Sequence, residues 1–116
     1  MGFTIRNLNA GTLPLFSETV ANRIIFAGSS TKSTLVKSIS LTNKDTVARY
    51  CTLYARINSV EYPITPIEIY IPAGGMALFE NDITLAITNS QNDQLTAKAE
   101  VTNMIAFVIN GIEREA

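Results

Sequence analysis

The sequence predicts an all-β fold: a compact antiparallel β-sandwich, of the jelly-roll or immunoglobulin-like kind, with an N-terminal arm. Three observations carry that expectation. Apolar and polar residues alternate over short segments, as on half-buried strands. The segments recur about every ten residues and are separated by polar turns, the spacing of a sandwich. Nowhere is an apolar pattern at i, i+3, i+4, i+7 sustained, so no long amphipathic helix is required. With 116 residues the chain can build one core. It reads as a single domain, 1–116, whose residues 1 to about 20 form an arm or edge element.

Phe3-Thr4-Ile5-Arg6 and Arg23-Ile24-Ile25-Phe26 read as short strands, with Asn9 to Pro14 as loop between them. From Ser33 to Leu41 the residues Leu35, Ile39 and Leu41 share a face, and Lys37 is the misfit that a bulge near Val36 would repair. Asn43-Lys44-Asp45-Thr46 is a polar turn. Val47, Cys51, Leu53, Ala55 and Ile57 then form an inward row, with Tyr50, Thr52, Tyr54 and Arg56 pointing the other way. Pro63 and Pro66 cannot donate ladder hydrogen bonds, which puts Val60 to Pro66 at an edge or in a crossing.

After the strand Ile67–Ile71, Pro72 and the pair Gly74-Gly75 predict a sharp corner between sheets. A phosphate-cradling loop is the competing reading of two glycines after a strand. It fails here because the spacing of a dinucleotide or P-loop fingerprint and its lysine are missing. Ile83, Leu85 and Ile87 alternate with polar or small residues, and Leu95, Ala97, Ala99 and Val101 form a core face opposite a wet one of Thr96, Lys98, Glu100 and Thr102, so the two runs read as a hairpin joined by Asn89 to Asp93. The last strand, Asn103 to Ile109, is apolar on both faces and ends at Asn110-Gly111. Such a strand is central in the core or covered by a second chain.

Composition excludes several functions. The chain has no histidine, which removes Ser-His-Asp and Cys-His nucleophile systems and His-based zinc sites. Its net charge of -1, with Lys and Arg scattered, gives no field to hold nucleic acid. No apolar run approaches the ~18 residues that span a bilayer, so no membrane partner is expected. The lone Cys51, flanked by strand residues, reads as a small buried hydrophobe rather than a reactive thiol. Glu61, Glu68, Glu80, Asp82, Glu100, Glu113 and Glu115 read as solvated strand-face charges rather than a catalytic pair. Asn81-Asp82 and Asp93 read as turns rather than calcium ligands. The expectation is a non-enzyme with no cofactor and no metal.

Tyr50, Tyr54 and Tyr70, with Arg56, have the composition of a protein interface, or alternatively of a sugar-stacking surface. The apolar residues of the arm, Phe3, Ile5, Leu13, Leu15 and Phe16, and Ile112 of the tail Gly111–Ala116 complete the candidate interface, since termini can order on a partner.

The run Leu35-Val36-Lys37-Ser38-Ile39-Ser40-Leu41-Thr42-Asn43, followed by Thr52-Leu53-Tyr54, resembles small structural proteins of tailed-bacteriophage virions. Ile71-Pro72-Ala73-Gly74-Gly75, Asn81-Asp82-Ile83 and Ala106-Phe107-Val108-Ile109-Asn110-Gly111 are similar to the same pattern in the same order. The resemblance implies a virion component made in the bacterial cytoplasm. A capsid decoration or cement protein ranks first, then a tail, baseplate or neck subunit, and after these a carbohydrate-binding module. It also implies virion proteins as partners and a homo-oligomer, with a trimer expected. Arg49-Tyr50-Cys51 departs from the pattern, where small residues are usual.

Overall fold

The computed structural model describes residues 6–28, 32–57, 60–66, 68–80, 82–85 and 93–115. They form two antiparallel sheets packed face to face. The front sheet runs in the order β1 (Arg6–Thr12), β10 (Ile105–Glu115), β3 (Lys32–Asn43) and β7 (Met76–Phe79), and β8 (Ile83–Leu85) pairs with β3 beyond β7. The back sheet runs β2 (Ile24–Ala27), β9 (Gln94–Ala99), β4 (Arg49–Ile57) and β5 (Val60–Pro63), with β6 (Ile69–Ile71) also on β4. The all-β sandwich is as expected.

The topology selects between the two expected kinds. If β5 with β6, and β7 with β8, are each counted as one interrupted strand, the two orders become 1-8-3-6 and 2-7-4-5. That is the double-sheet jelly roll, in which most connections cross from one sheet to the other. Crossing corrects the expected β8–β9 hairpin, because β8 pairs with β3 in front and β9 pairs with β2 and β4 behind. Alternation reports which face of a strand is buried, and it carries no information about which sheet holds the strand. The expected edge is confirmed: β5, ending in Pro63, is the outer strand of the back sheet.

Between the sheets lie Val36, Ile39 and Leu41 of β3, Cys51, Leu53 and Ala55 of β4, Leu95, Ala97 and Ala99 of β9, and Ile105, Phe107 and Ile109 of β10. The bulge expected in β3 is present at Lys37. The β3–β10 register jumps from Ser38↔Asn110 to Val36↔Gly111 and leaves Lys37 unopposed. Skipping one residue reverses the facing of everything before it. Val36 therefore enters the core and Leu35 does not, correcting the predicted face. Lys37, turned outward, meets Asp82 at 2.9 Å. Val47 leaves the predicted inward row as well; it is 49 % exposed, because β4 begins only at Arg49.

Among the described residues, neither the segment from Arg6 nor the one ending at Glu115 is a free docking arm. β1 pairs with β10 from Arg6 to Thr12, and the ladder is continued where the Leu13 amide donates to the Ile105 carbonyl at 2.8 Å. The chain then crosses to the back sheet: Ala99 N–H donates to Pro14 O and Phe16 N–H to Ala99 O, both at 2.9 Å. Leu13, 2 % exposed, closes that end of the core, which removes it from the candidate interface. The tail is likewise structural. β10 does not stop at Asn110-Gly111 but pairs with β3 to Glu115, and Gly111 is an interior residue of a central strand.

Pro72 to Gly75 is the corner predicted, carrying the chain from β6 behind to β7 in front. Gly75 N–H donates to Pro72 O at 2.8 Å, and Gly74 takes φ +69°, which glycine adopts without a Cβ penalty. The corner is locked to the neighbouring turn by Asn43, which is fully buried. Its side-chain amide donates to the carbonyls of Val47 and Ile71 at 2.9 Å, and its carbonyl oxygen accepts from the Asp45 amide at 2.9 Å.

Candidate functional site

Two surfaces stand out, one on the outer face of each sheet. Behind, β4 and its neighbours turn Tyr50, Tyr54 and Arg56 outward, as predicted. Tyr50 lies opposite Tyr70 across the β4–β6 ladder, the rings tilted at 59° with centroids 5.4 Å apart. The Lys98 ammonium rests 5.4 Å from the centre of the Tyr54 ring, within cation–π reach. Phe16, pinned by its bond to Ala99, flanks them. Phe16, Tyr50, Tyr54 and Lys98, with Thr52 and Glu68, line an open groove of about 290 Å³. Desolvation, and then the carboxylates of Glu68 and Glu100, push the Tyr50 hydroxyl above its ordinary pKa, so it stays neutral.

Among the predicted interface residues, then, the fold gathers Phe16, Tyr50, Tyr54 and Tyr70 on one surface. Leu15 is half-buried beside Ala99, which it pairs as an isolated bridge. Arg56 is half-buried and donates to Gln94 Oε1 at 2.9 Å. Ile112 is half-buried opposite Leu35 in the front sheet, apart from the tyrosines. Phe3 and Ile5 lie outside the described residues.

Next to the tyrosines is an ion pair that no sequence spacing announces. Arg23, at the end of the 3-10 turn Val20–Arg23, places both terminal nitrogens on Glu61, at 3.0 and 3.1 Å, and its side chain is almost fully buried. The Thr96 hydroxyl donates to the same carboxylate. Thr96, on the face predicted to be wet, is consequently buried. Burial pushes the Glu61 pKa up, but the hydrogen bonds from Arg23 and Thr96 outweigh it and leave it below its ordinary 4.5. A depressed carboxylate contributes stability that is fully present above its unfolded pKa and lost as pH falls through its folded one. The urea midpoint is therefore expected to drop on going from pH 7 to below the ordinary glutamate range of about 4. Glu61→Gln, already weakened at pH 7, should drop less. Parallel pH profiles for the two would contradict this role.

Three of the other acidic candidates also have structural partners. Asp82 pairs with Lys37, Glu100 approaches Arg49 at 3.7 Å, and Glu113 pairs with Arg6. Asp45, hydrogen-bonded by Arg49 and by the Thr46 amide, is held below the usual aspartate range. Among the described residues there is no group of three His, Cys, Asp or Glu side chains placed to hold a metal. Cys51 is buried, and desolvation pushes its thiol up to about 12, which agrees with the buried-hydrophobe reading.

The second surface, on the front sheet, was half visible in the sequence. Register places Ala10, Val108, Ser40 and Leu78 side by side across four strands, and Thr12, Ala106, Thr42 and Met76 in the next row of the same face. Neither row contains a charged residue. Met76, Leu78 and Val108 are 65 %, 54 % and 36 % exposed. Charges begin beyond these rows, at the rim groove of about 420 Å³ lined by Arg6, Lys37, Glu80 and Asp82. The two-sided apolar character of β10 pointed to this face. Met76-Ala77-Leu78-Phe79, equally two-sided, was the signal that went unused.

No family model matches the chain, and no curated protein matches it. A solved structure of similar shape is the Drosophila NLP core, described for pentamer formation and histone binding. It is 15% identical, with a TM-score of 0.47, over 95% of this chain and 100% of that one. These comparisons identify no phage virion family, and the NLP core is a protein of another kind. The expectation of a virion component, whether capsid decoration, cement or tail protein, is corrected on that finding. The short β-turn patterns behind it are ones that any jelly roll must use at its corners.

Proposed function

We propose that this chain is a non-enzymatic assembly module, whose copies associate through the outer face of the front sheet. The observation that carries this reading is the pair of uncharged rows across β1, β10, β3 and β7, with Met76, Leu78 and Val108 projecting from them. An uncharged face that projects exposed apolar side chains and is rimmed by charged groups has the character of a protein contact. A second copy suits it because two uncharged faces meet without desolvating any ion, whereas a charged partner surface would lose its hydration for no return. The carboxylates held in structural ion pairs support a non-catalytic reading. The tyrosine groove of the back sheet stays open in such an assembly and is the surface left for a different protein. Its mix of rings with Lys98 and Glu68 is that of an interface rim.

Val108 tests the reading, since it points away from the core at the centre of the face. Val108→Lys should fold as the parent does and weaken self-association by at least about tenfold, the effect of roughly 1.4 kcal/mol. Unchanged association of a folded Val108→Lys protein would remove the front face as the contact.

A further inference from the structure

The β7 edge of the front sheet is built for pairing with a copy of itself. Asn43 N–H donates to Gly75 O at 2.9 Å, which makes Asn43 and Gly75 a hydrogen-bonded pair of the β3–β7 ladder. The register continues as Thr42↔Met76, Leu41↔Ala77, Ser40↔Leu78 and Ile39↔Phe79. Hydrogen-bonded and non-hydrogen-bonded pairs alternate along an antiparallel ladder. The backbone groups of Ala77 and Phe79 therefore point to β3, while those of Met76 and Leu78 point away from it. Among the described residues no strand lies on that side of β7.

Edge strands in soluble proteins are ordinarily guarded by lysine, proline, a bulge or a covering loop. Met76 to Phe79 has no charge and no proline, and its ladder with β3 shows no bulge. The same two residues that offer free N–H and C=O groups also project exposed apolar side chains from one face.

We infer that β7 is a dimerisation edge, on which β7 of a second copy of this chain adds antiparallel about a two-fold axis at Ala77. In that register Met76 of one copy faces Leu78 of its partner, and Leu78 faces the partner's Met76. Four main-chain hydrogen bonds then close through the outward groups, and two Met–Leu contacts form on the outer face. The strand is self-complementary in charge, since no like charges come opposite each other within it. The two front sheets join into one, and their uncharged rows become continuous. This edge contact rests on the proposed self-association and is a second contact beside it, at the edge of the front sheet and not across its face. Its symmetry makes pairs, in place of the trimer expected from the resemblance.

Amide hydrogen exchange of the wild-type protein across a concentration series tests it. The Met76 and Leu78 amides should be unprotected when dilute and gain at least about tenfold protection as the protein associates, while the Ala77 amide is protected throughout. Leu78→Pro removes an outward N–H and leaves the β3 ladder intact, as an edge strand tolerates. It should weaken pairing by at least about tenfold. Met76 and Leu78 amides that still exchange freely in the associated protein overturn the inference, and so does a folded Leu78→Pro protein that pairs as the wild type does. If Val108→Lys alone abolishes association, the front face is the contact and the β7 edge is not. If neither variant affects it, both readings fail.

Discussion

Gly111→Ala is expected to destabilise the fold by several kcal/mol, on the order of 3. Gly111 lies beside the bulge where β10 passes Lys37, and there the β3 backbone presses against it. A Cβ at this position would come 2.3 Å from the Leu35 carbonyl oxygen and 2.9 Å from Leu8 Cδ1. The leucine methyl can swing aside. The carbonyl belongs to a ladder between two central strands, so relief requires pulling β3 and β10 apart. Gly11→Ala is the control, because its Cβ would meet only the edge of the Phe107 ring, at 3.3 Å. Urea unfolding should show a large fall in midpoint for the first substitution and a small one for the second. Equal midpoints for Gly111→Ala and wild type would mean that the bulge is not packed as described.

Asn43→Asp should cost a similar amount, about 3 kcal/mol or more at neutral pH, by a different route. The substitution is nearly isosteric. It replaces an amide that donates to the carbonyls of Val47 and Ile71, with Pro72 at 3.3 Å, by a carboxylate oxygen that faces the same acceptors. A buried charge facing three carbonyls is strongly disfavoured, so the new carboxyl should titrate above the ordinary aspartate range. For a carboxyl raised in the folded state, stability increases as pH falls. The deficit relative to wild type should therefore shrink in acid, the reverse of the Glu61 effect. Denaturation midpoints at pH 7 and pH 5 decide it, and a deficit independent of pH would rule out the carboxylate as its cause. Asn43 matters this much because one side chain ties the β3–β4 crossing to the β6–β7 corner, two places where the chain changes sheet.

Strand positions were legible in the sequence because alternation is local: the inward Cys51, Leu53 and Ala55, the bulge near Lys37, and the Gly74-Gly75 corner all follow from neighbours in the chain. Sheet membership was not legible. Ile83–Leu85 and Gln94–Ala99 alternate as hairpin partners would, yet they lie in opposite sheets, since both faces of a sandwich impose the same period. Long-range polar pairs were equally hidden. Nothing in Arg23 or Glu61 signals a buried bond across 38 positions, and it is that bond that buries Thr96 on the face expected to be wet. The candidate surface was half legible. Phe16 and the three tyrosines converge as their outward facing implied, whereas Leu13 was misread because an irregular N-terminal segment resembles a free arm until its hydrogen bonds to both sheets are seen.

The central claim is that this jelly roll acts by associating with copies of itself. Sedimentation equilibrium of the unmodified chain over a wide range of concentration tests it most directly. Self-association through the front sheet predicts a mass that rises from 12.6 kDa to an integral multiple of it, with little dependence on salt, because the contact contains no ion pairs. A mass that stays at 12.6 kDa at every concentration would contradict the account.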